Sequence, residues 1–198
     1  MRLFLVRHVT TVWNEEGRLQ GHGDSPPSAR GEREVAALQR AFQGHEVEAI
    51  YTSDLGRALR TAQAIAAVTR APVRPDPRLR ERDYGQLEGL TPAEIQQRFA
   101  GQPGFDWDGL IARPPGGEFR PERDCRLAAA LDDILAASHS GNLVVVTHGG
   151  SVRPALERLL GPSPQEHPYA MRNAAITEIL IDGTGATLLR LNDTSHLP

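Results

Sequence analysis

The chain has 198 residues, 22 basic against 25 acidic side chains, a net charge of −3, and 39% hydrophobic and 24% charged residues. That balance excludes a disordered or fibrous chain, and it holds no basic surplus that would call for nucleic acid as a partner. All 22 basic residues are arginine, which excludes a Walker-type phosphate loop, a Schiff-base enzyme and a lysine general base.

The apolar run from Leu3 to Val6 has the length of a strand, and Arg7-His8 follows at its end. Val35, Leu38 and Phe42 fall at helical spacing within 30–43, and Gly44 stops that helix. Ala49-Ile50-Tyr51 reads as a short strand, after which Ser53-Asp54 caps a helix from Leu55 to about Arg70. The stretch from Pro72 to Pro121 is rich in Pro, Gly and Arg, with one helical piece at 92–100, and reads as a cap over a site. A helix from Glu122 to Ala137 sets Leu127, Leu131, Ile134 and Leu135 on one stripe and carries Cys125, read as a small buried thiol. Leu143 to Val146, almost purely β-branched, is a further strand, and Thr147-His148-Gly149-Gly150 ends it. A helix over 151–160 closes at Gly161-Pro162, and Ile176 to Ile181 forms a hairpin with Ala186 to Leu191.

Strands alternating with helices define an α/β class. The expected architecture is a three-layer α/β/α sandwich: a mainly parallel sheet, helices on both faces, and a small cap segment. The chain reads as one domain over 1–198 with the cap inserted at about 80–120. A lone cysteine can form neither an internal disulfide nor a Cys-rich zinc site, and no His-Glu-x-x-His pattern occurs. No run approaches the ~20 apolar residues that span a bilayer, and the first eight residues are too short for a signal segment. A cytoplasmic protein with no membrane partner is expected, and a homodimer is left open.

In open α/β sheets, ligands bind beyond the carboxyl ends of the strands. Arg7-His8 and Thr147-His148 stand at two such ends, so the two imidazoles can face one another across a crevice. The strand at 49–51 leads into a helix whose start offers backbone donors to an anion and whose first turn carries Arg57, with Arg60 close by. Arginine forks match phosphate oxygens, and spacing alone leaves Arg57 and Arg60 both open as the inward one. The convergence describes a phosphate pocket built without lysine, metal or P-loop.

These residues resemble the histidine phosphatase, or phosphoglycerate mutase-like, superfamily, and within it the small phosphatase branch. Arg7-His8-Val9-Thr10-Thr11-Val12-Trp13-Asn14 is similar to its opening Arg-His-Gly-x-Thr-x-x-Asn, with Val9 in place of glycine. Gln20 to Pro26 with Gly31, Ser53 to Ala62, Leu79 to Gly89, Pro115-Gly116-Gly117-Glu118 and Val146 to Gly150 resemble the later motifs in order. Phe119 stands where small polar residues are usual. The resemblance selects Arg57 over Arg60.

What the resemblance implies is a two-step phosphoryl transfer in which His8 becomes phosphohistidine, with no metal and no cofactor. Arg7, Arg57 and His148 would neutralise the equatorial oxygens, with Asn14, Gly149, Gly21 and His22 binding substrate. For His22 a solvated loop position is the competing reading. Glu81 would protonate the leaving alkoxide and then take a proton from water, a role that needs the side chain protonated at the start. Glu118 is read as structural support.

The implied activity is hydrolysis of small phosphate monoesters. One alternative is a 2,3-bisphosphoglycerate-dependent phosphoglycerate mutase, and another is a non-catalytic phosphate-ligand-binding domain. The short stretch between Gly85 and Glu118 and the short tail after Leu191 favour the phosphatase, whereas Glu81-Arg82-Asp83-Tyr84-Gly85 is mutase-like. Retention of His8 and Glu81 argues against the binding domain. Arg80, Arg82, Arg113 and Arg120 are candidates for a second substrate anion or for solvated charges, and Phe105, Trp107 and Phe119 for a cap wall or a cap core. His45, His139, His167 and His196 fall outside any motif. A serine hydrolase is excluded, because no Gly-x-Ser-x-Gly elbow accompanies His148-Gly149-Gly150-Ser151.

Overall fold

A six-stranded sheet organises the fold, with the order β3-β2-β4-β1-β5-β6. Its strands are β1 (Arg2–Arg7), β2 (Ala49–Thr52), β3 (Val73–Pro75), β4 (Leu143–Thr147), β5 (Ile176–Asp182) and β6 (Gly185–Asp193). The first four run parallel, while β5 joins β1 antiparallel and turns into β6 as the expected hairpin. The computed structural model describes residues 1–101, 106–138, 141–161 and 171–198; Phe105, His139, Pro162 and His167 lie outside the described residues.

Alternation along the central strands creates two cores. Leu3, Leu5, Leu143 and Val145 point to the face covered by α6 (Arg120–Ala137) and α7 (Gly149–Leu160), where Leu127, Leu131, Ile134, Val152 and Leu156 meet them. Phe4, Val6, Val144 and Val146 point to the opposite face, covered by α2 (Ala29–Phe42), which follows the one-turn α1 (Val12–Glu15), and by α3 (Gly56–Thr69) through Leu38, Phe42, Ala58, Ala62 and Ile65. Both central strands are therefore buried on both sides, which explains their unbroken apolar character. Each fully buried aliphatic side chain stabilises the fold by about 1.5–3 kcal/mol. The result is the three-layer α/β/α arrangement.

Three local readings are corrected. Cys125 lies on α6 but is exposed, because it falls on the arc opposite the buried stripe of Leu127, Leu131 and Ile134. Ser53-Asp54 does not cap α3; the helix begins at Gly56 with Leu55 at its N-cap and no side-chain cap bond. Asp24, distant in sequence, supplies the carboxylate instead by accepting the Arg57 amide at 3.3 Å, while Asp54 is drawn off by Arg80 through paired bonds of 2.6 and 2.5 Å. The anion at that helix start is thus the protein's own. Finally, the Pro-rich stretch contains the edge strand β3 before the cap begins.

The cap carries α4 (Pro92–Phe99), started by a Thr91–Glu94 capping box, and α5 (Trp107–Ala112), whose N-cap is Asp106. Leu87, Ile95 and Phe99 form its own small core, and Trp107 and Leu110 pack against that cluster rather than forming a wall. Phe119 is 37% exposed, with the Arg113 guanidinium 5.2 Å from its ring centroid. Among the described residues no helix is long and apolar enough to cross a membrane.

Candidate active site

The register of β1 on β4 pairs Arg7 with Thr147, so the next residue on each strand is a histidine. The His8 amide donates to the Thr147 carbonyl at 3.0 Å, and the two imidazoles stand with ring centroids 5.2 Å apart at a 56° tilt. Both rings are buried.

His8 is oriented by its own turn. Its Nδ1 lies 2.8 Å from the Val9 carbonyl, an acceptor only, so Nδ1 carries the proton and the lone pair of the neutral ring resides on Nε2. Val9 is fully buried, lies outside the positive-φ residues, and its amide donates to Thr61 Oγ1 at 3.1 Å. A valine therefore fits this turn and adds to the core. The following Thr10 is tied through its amide and hydroxyl to the buried Glu34 carboxylate.

Arg57, 1% exposed, donates to the Gly21 carbonyl at 2.7 Å and the Gly23 carbonyl at 2.8 Å. It thereby shapes the loop that resembles the second motif. Gly21 has a φ of +56°, and a Cβ there would lie 2.0 Å from Glu88 Oε1, so the loop requires glycine. Arg7 donates through Nη1 to the Met171 carbonyl. The Nε atoms of Arg7 and Arg57 and both ring nitrogens of His148 are buried without a hydrogen-bond partner among the described residues. Buried polar groups are normally paired, so the two arginine Nε–H groups and the one N–H of the neutral His148 ring mark a place that expects an anion.

Electrostatics follow from this packing. Burial, reinforced by the Arg57 and Arg7 cations, holds His8 well below the usual imidazole pKa of 6.5. His148 is held well below it by burial, then by Arg57, His8 and Arg7. Burial also lowers Arg7 and Arg57, yet guanidinium groups stay charged across the accessible pH range. Two neutral imidazoles thus share a cage with two cations.

Glu81, 9% exposed, faces the same pocket of about 160 Å³ as Arg7, His8, Asn14, Gly21, Arg57 and Gly149. Its Oε1 accepts the Arg82 amide and its Oε2 the Gly150 amide, each at 2.9 Å. Asn14 uses Oδ1 to accept from Thr11 and from Asn173 Nδ2, leaving its own Nδ2 as the group free to donate into the pocket. His22 bridges elsewhere: its Nε2 meets the Glu81 carbonyl at 3.0 Å and its Nδ1 lies 3.6 Å from Asp83. It braces the Glu81 segment and is not among the pocket-lining residues. The structure therefore sets His8, Arg7, Arg57, Glu81, Asn14, Gly21 and Gly149 around one pocket, keeps His148 beside His8 at 5.2 Å between ring centroids though outside the lining, and leaves His22 outside the lining on the Glu81 carbonyl.

Sequence reasoning missed three supports. Asn173 donates to the His8 carbonyl as well as to Asn14. Arg126 donates to the carbonyls of Arg78, Arg80 and Glu81 and to both oxygens of Glu118, which ties that carboxylate to the Glu81 segment. Burial pushes the Glu118 carboxyl up, but Arg126 and the Asp83 amide outweigh it and hold it low. Arg123, 6% exposed, donates to the Gly150 carbonyl at 2.6 Å and lies 3.7 Å from Glu81. Only its helical phase on α6 hinted at an inward position. Among the described residues no group of three His, Cys, Asp or Glu side chains is arranged to hold a metal ion.

Residues 3–194 match the model of the histidine phosphatase superfamily, branch 1. The chain belongs to that superfamily. A probable phosphoglycerate mutase GpmB of Yersinia enterocolitica is 35% identical, with all of this chain and 95% of that protein covered. Among solved structures, Bacillus stearothermophilus YhfR superposes with a TM-score of 0.85 at 32% identity, covering 98% of both chains. The alpha-ribazole phosphatase from Shigella flexneri gives 0.85 at 25% identity, with 98% of this chain and 96% of that one covered.

Proposed function

We propose that the protein hydrolyses small phosphate monoesters through a phosphohistidine on His8, without a metal or cofactor, as one catalytic unit. The observation that carries this reading is the His8 ring: buried, held neutral, and proton-fixed at Nδ1 near the unpaired Nε–H groups of Arg7 and Arg57 and the unpaired ring of His148. Nε2 attacks phosphorus and the ester P–O bond breaks. Glu81 gives its proton to the departing oxygen, then removes one from the water that attacks phosphohistidine, releasing inorganic phosphate and restoring the Nε2 lone pair.

Charge on the transferring group is met by Arg7, Arg57, His148 and the Asn14 amide. Such pre-aimed donors are worth about 2.7–4 kcal/mol each in a site that excludes water. His148 is kept neutral by burial first and then by the two guanidinium groups, and a phosphate dianion among them reverses the field that the imidazole feels.

The pocket shares Tyr84, Gly149 and Gly150 with a neighbouring cleft of about 360 Å³, and water reaching phosphohistidine from that side supports the hydrolytic reading. A mutase is the second reading, favoured by Glu81-Arg82-Asp83-Tyr84-Gly85 and by the name of the Yersinia relative. A panel of phosphate monoesters, assayed with and without 2,3-bisphosphoglycerate, separates them. Free phosphate from several esters, unchanged by EDTA and lost in His8→Ala, is the expected result. Isomerised phosphoglycerate would establish the mutase, activity lost with EDTA would refute metal independence, and phosphate binding without turnover would establish a binding domain.

A further inference from the structure

We propose that Glu34, a carboxylate on α2 that does not line the phosphate pocket, is a positioning residue for His8 and acts through the Val9–Thr10 peptide. The inference rests on the phosphatase reading for the use made of His8. α2 turns Gly31, Glu34, Ala37, Leu38 and Phe42 inward, and Glu34 is the one ionisable group in that set. At 2% exposure it is almost sealed, and a buried charge is costly unless it is paired and hydrogen-bonded.

Its hydrogen bonds show what the carboxylate serves. Oε2 accepts the Thr10 amide at 2.7 Å, and Oε1 accepts the Thr10 hydroxyl at 2.9 Å. Oε1 also accepts Arg30 Nε at 2.9 Å, but Arg30 is half-exposed and sits one turn away on the same helix. The Thr10 carbonyl is taken in turn by the Ser28 amide at 3.0 Å. Gly31 lets the helix close on this turn, since a Cβ there would lie 2.0 Å from the Thr10 carbonyl oxygen. Every polar group of Thr10 is therefore held by α2 or by its N-cap, Ser28.

The amide that Glu34 grips belongs to the same rigid peptide unit as the Val9 carbonyl. In a trans peptide the N–H and C=O are coplanar and point in opposite directions, so fixing one fixes the other. That carbonyl is the acceptor 2.8 Å from His8 Nδ1, and it sets which ring nitrogen carries the proton. Carboxylate, Thr10 N–H, Val9 C=O and His8 Nδ1–H thus follow one another in a single line, with the lone pair left on Nε2. Bonds in such a chain polarise one another. Where a carboxylate holds a catalytic imidazole directly, loss of the correct tautomer costs about 10⁴-fold in kcat. Here a peptide unit stands between the two. Burial lowers Arg7, and the Glu34 carboxylate also helps to oppose that effect, so position and field have to be told apart.

Two variants of the full-length protein separate them. Glu34→Gln keeps the reach to Thr10 without the charge, its amide oxygen meeting the Thr10 N–H. Glu34→Asp keeps the charge and withdraws it by one methylene. NMR of 15N-labelled histidine reads the tautomer of His8, assigned by its loss in His8→Ala, and kinetics on an alkyl phosphate give kcat and KM. The unaltered protein should show His8 only as the Nδ1–H form. Glu34→Gln should keep that form and most of kcat. Glu34→Asp should mix in the Nε2–H form and lower kcat by about tenfold or more with KM nearly unchanged. Leu38→Ala, equally buried on the same helix face, should cost stability and leave tautomer and kcat alone. An Nε2–H His8 in the unaltered protein, an unaltered tautomer and kcat in Glu34→Asp, a loss in Glu34→Gln as large as in Glu34→Asp, or an equal loss in Leu38→Ala would overturn the proposal. If Glu34→Asp does not fold, the Glu34→Gln spectrum decides: the Nδ1–H form retained supports the relay, and a mixture refutes it. Turnover abolished in His8→Ala alongside any of these results leaves the phosphatase reading standing; retained turnover removes that reading, while the spectra still report on Glu34.

Discussion

Replacing Glu81 by glutamine separates its structural and chemical work. The carboxylate accepts two backbone amides, from Arg82 and Gly150, each at 2.9 Å, and is 9% exposed. Glutamine keeps one acceptor oxygen and turns its NH2 toward the second amide, so one buried N–H loses its partner at a cost of about 1–3 kcal/mol. For a chain of this length that lowers Tm by about 2–12 °C. The chemical loss is separate and larger: general acid catalysis is worth about 10²–10⁴-fold where the leaving alkoxide needs a proton. The assay is kcat/KM for an alkyl phosphate and for p-nitrophenyl phosphate. This parameter reports steps only through formation of phosphohistidine, so the later role of Glu81 as a base does not blur the comparison. The alkyl ester should lose about 10²–10⁴-fold and the aryl ester, whose leaving group departs as a stable anion, far less. Equal losses for the two esters would refute the acid assignment, since a merely misshapen pocket would slow both alike.

Stability should fall in mild acid for a reason located in the site. His8 and His148 sit well below pKa 6.5 in the folded chain and return to it on unfolding. Below about pH 6.5 the unfolded state therefore binds more protons, and the contribution that is full above that pH is lost as pH falls toward the folded values. Each ring adds a slope approaching about 1.4 kcal/mol per pH unit, so urea denaturation between pH 7.5 and 5 should be flatter by one proton in His148→Asn. An unchanged slope would contradict the neutral, buried ring. Arg126→Gln removes the donors to Arg78, Arg80, Glu81 and Glu118 and should destabilise by about 2–4 kcal/mol, below the limit for a fully buried pair because the side chain is 21% exposed. Its kcat on alkyl esters should drop more than its KM rises, and Glu118→Gln in the same chain should recover part of the stability. A pure KM effect would show that Arg126 does not position Glu81.

Short-range order made His8 legible, as the end of an apolar strand followed by a charged turn, whereas Arg57 was separated from Arg60, and Glu81 from a surface charge, only by the resemblance of their motifs to the superfamily. The same local logic placed α6 and α7 and failed at Cys125 by assigning it to the wrong arc of a helix that was itself correctly expected. The cap was harder. Its apolar residues are few and its helices short, so Trp107 carried no signal separating a wall from a core until Leu87, Ile95 and Phe99 were seen beneath it.

From the sequence alone came the order of five of the strands and of the longer helices between them, the double burial of the central strands, and the placing of two histidines at strand ends, since each follows from residue periodicity along a continuous segment. Tertiary structure alone decided that the β1–β4 register brings the imidazoles to 5.2 Å, that Asp24 rather than Ser53 or Asp54 serves the start of α3, and that Asn173 holds the His8 turn. It also sorted the cap arginines, which are chemically alike in sequence, into those taken by Asp54 or laid over Phe119 and those lining the cleft. The physical reason is range. Hydrophobic period acts over neighbouring residues, whereas the partner of a charge is set by which distant segments the folded sheet brings within a few ångströms.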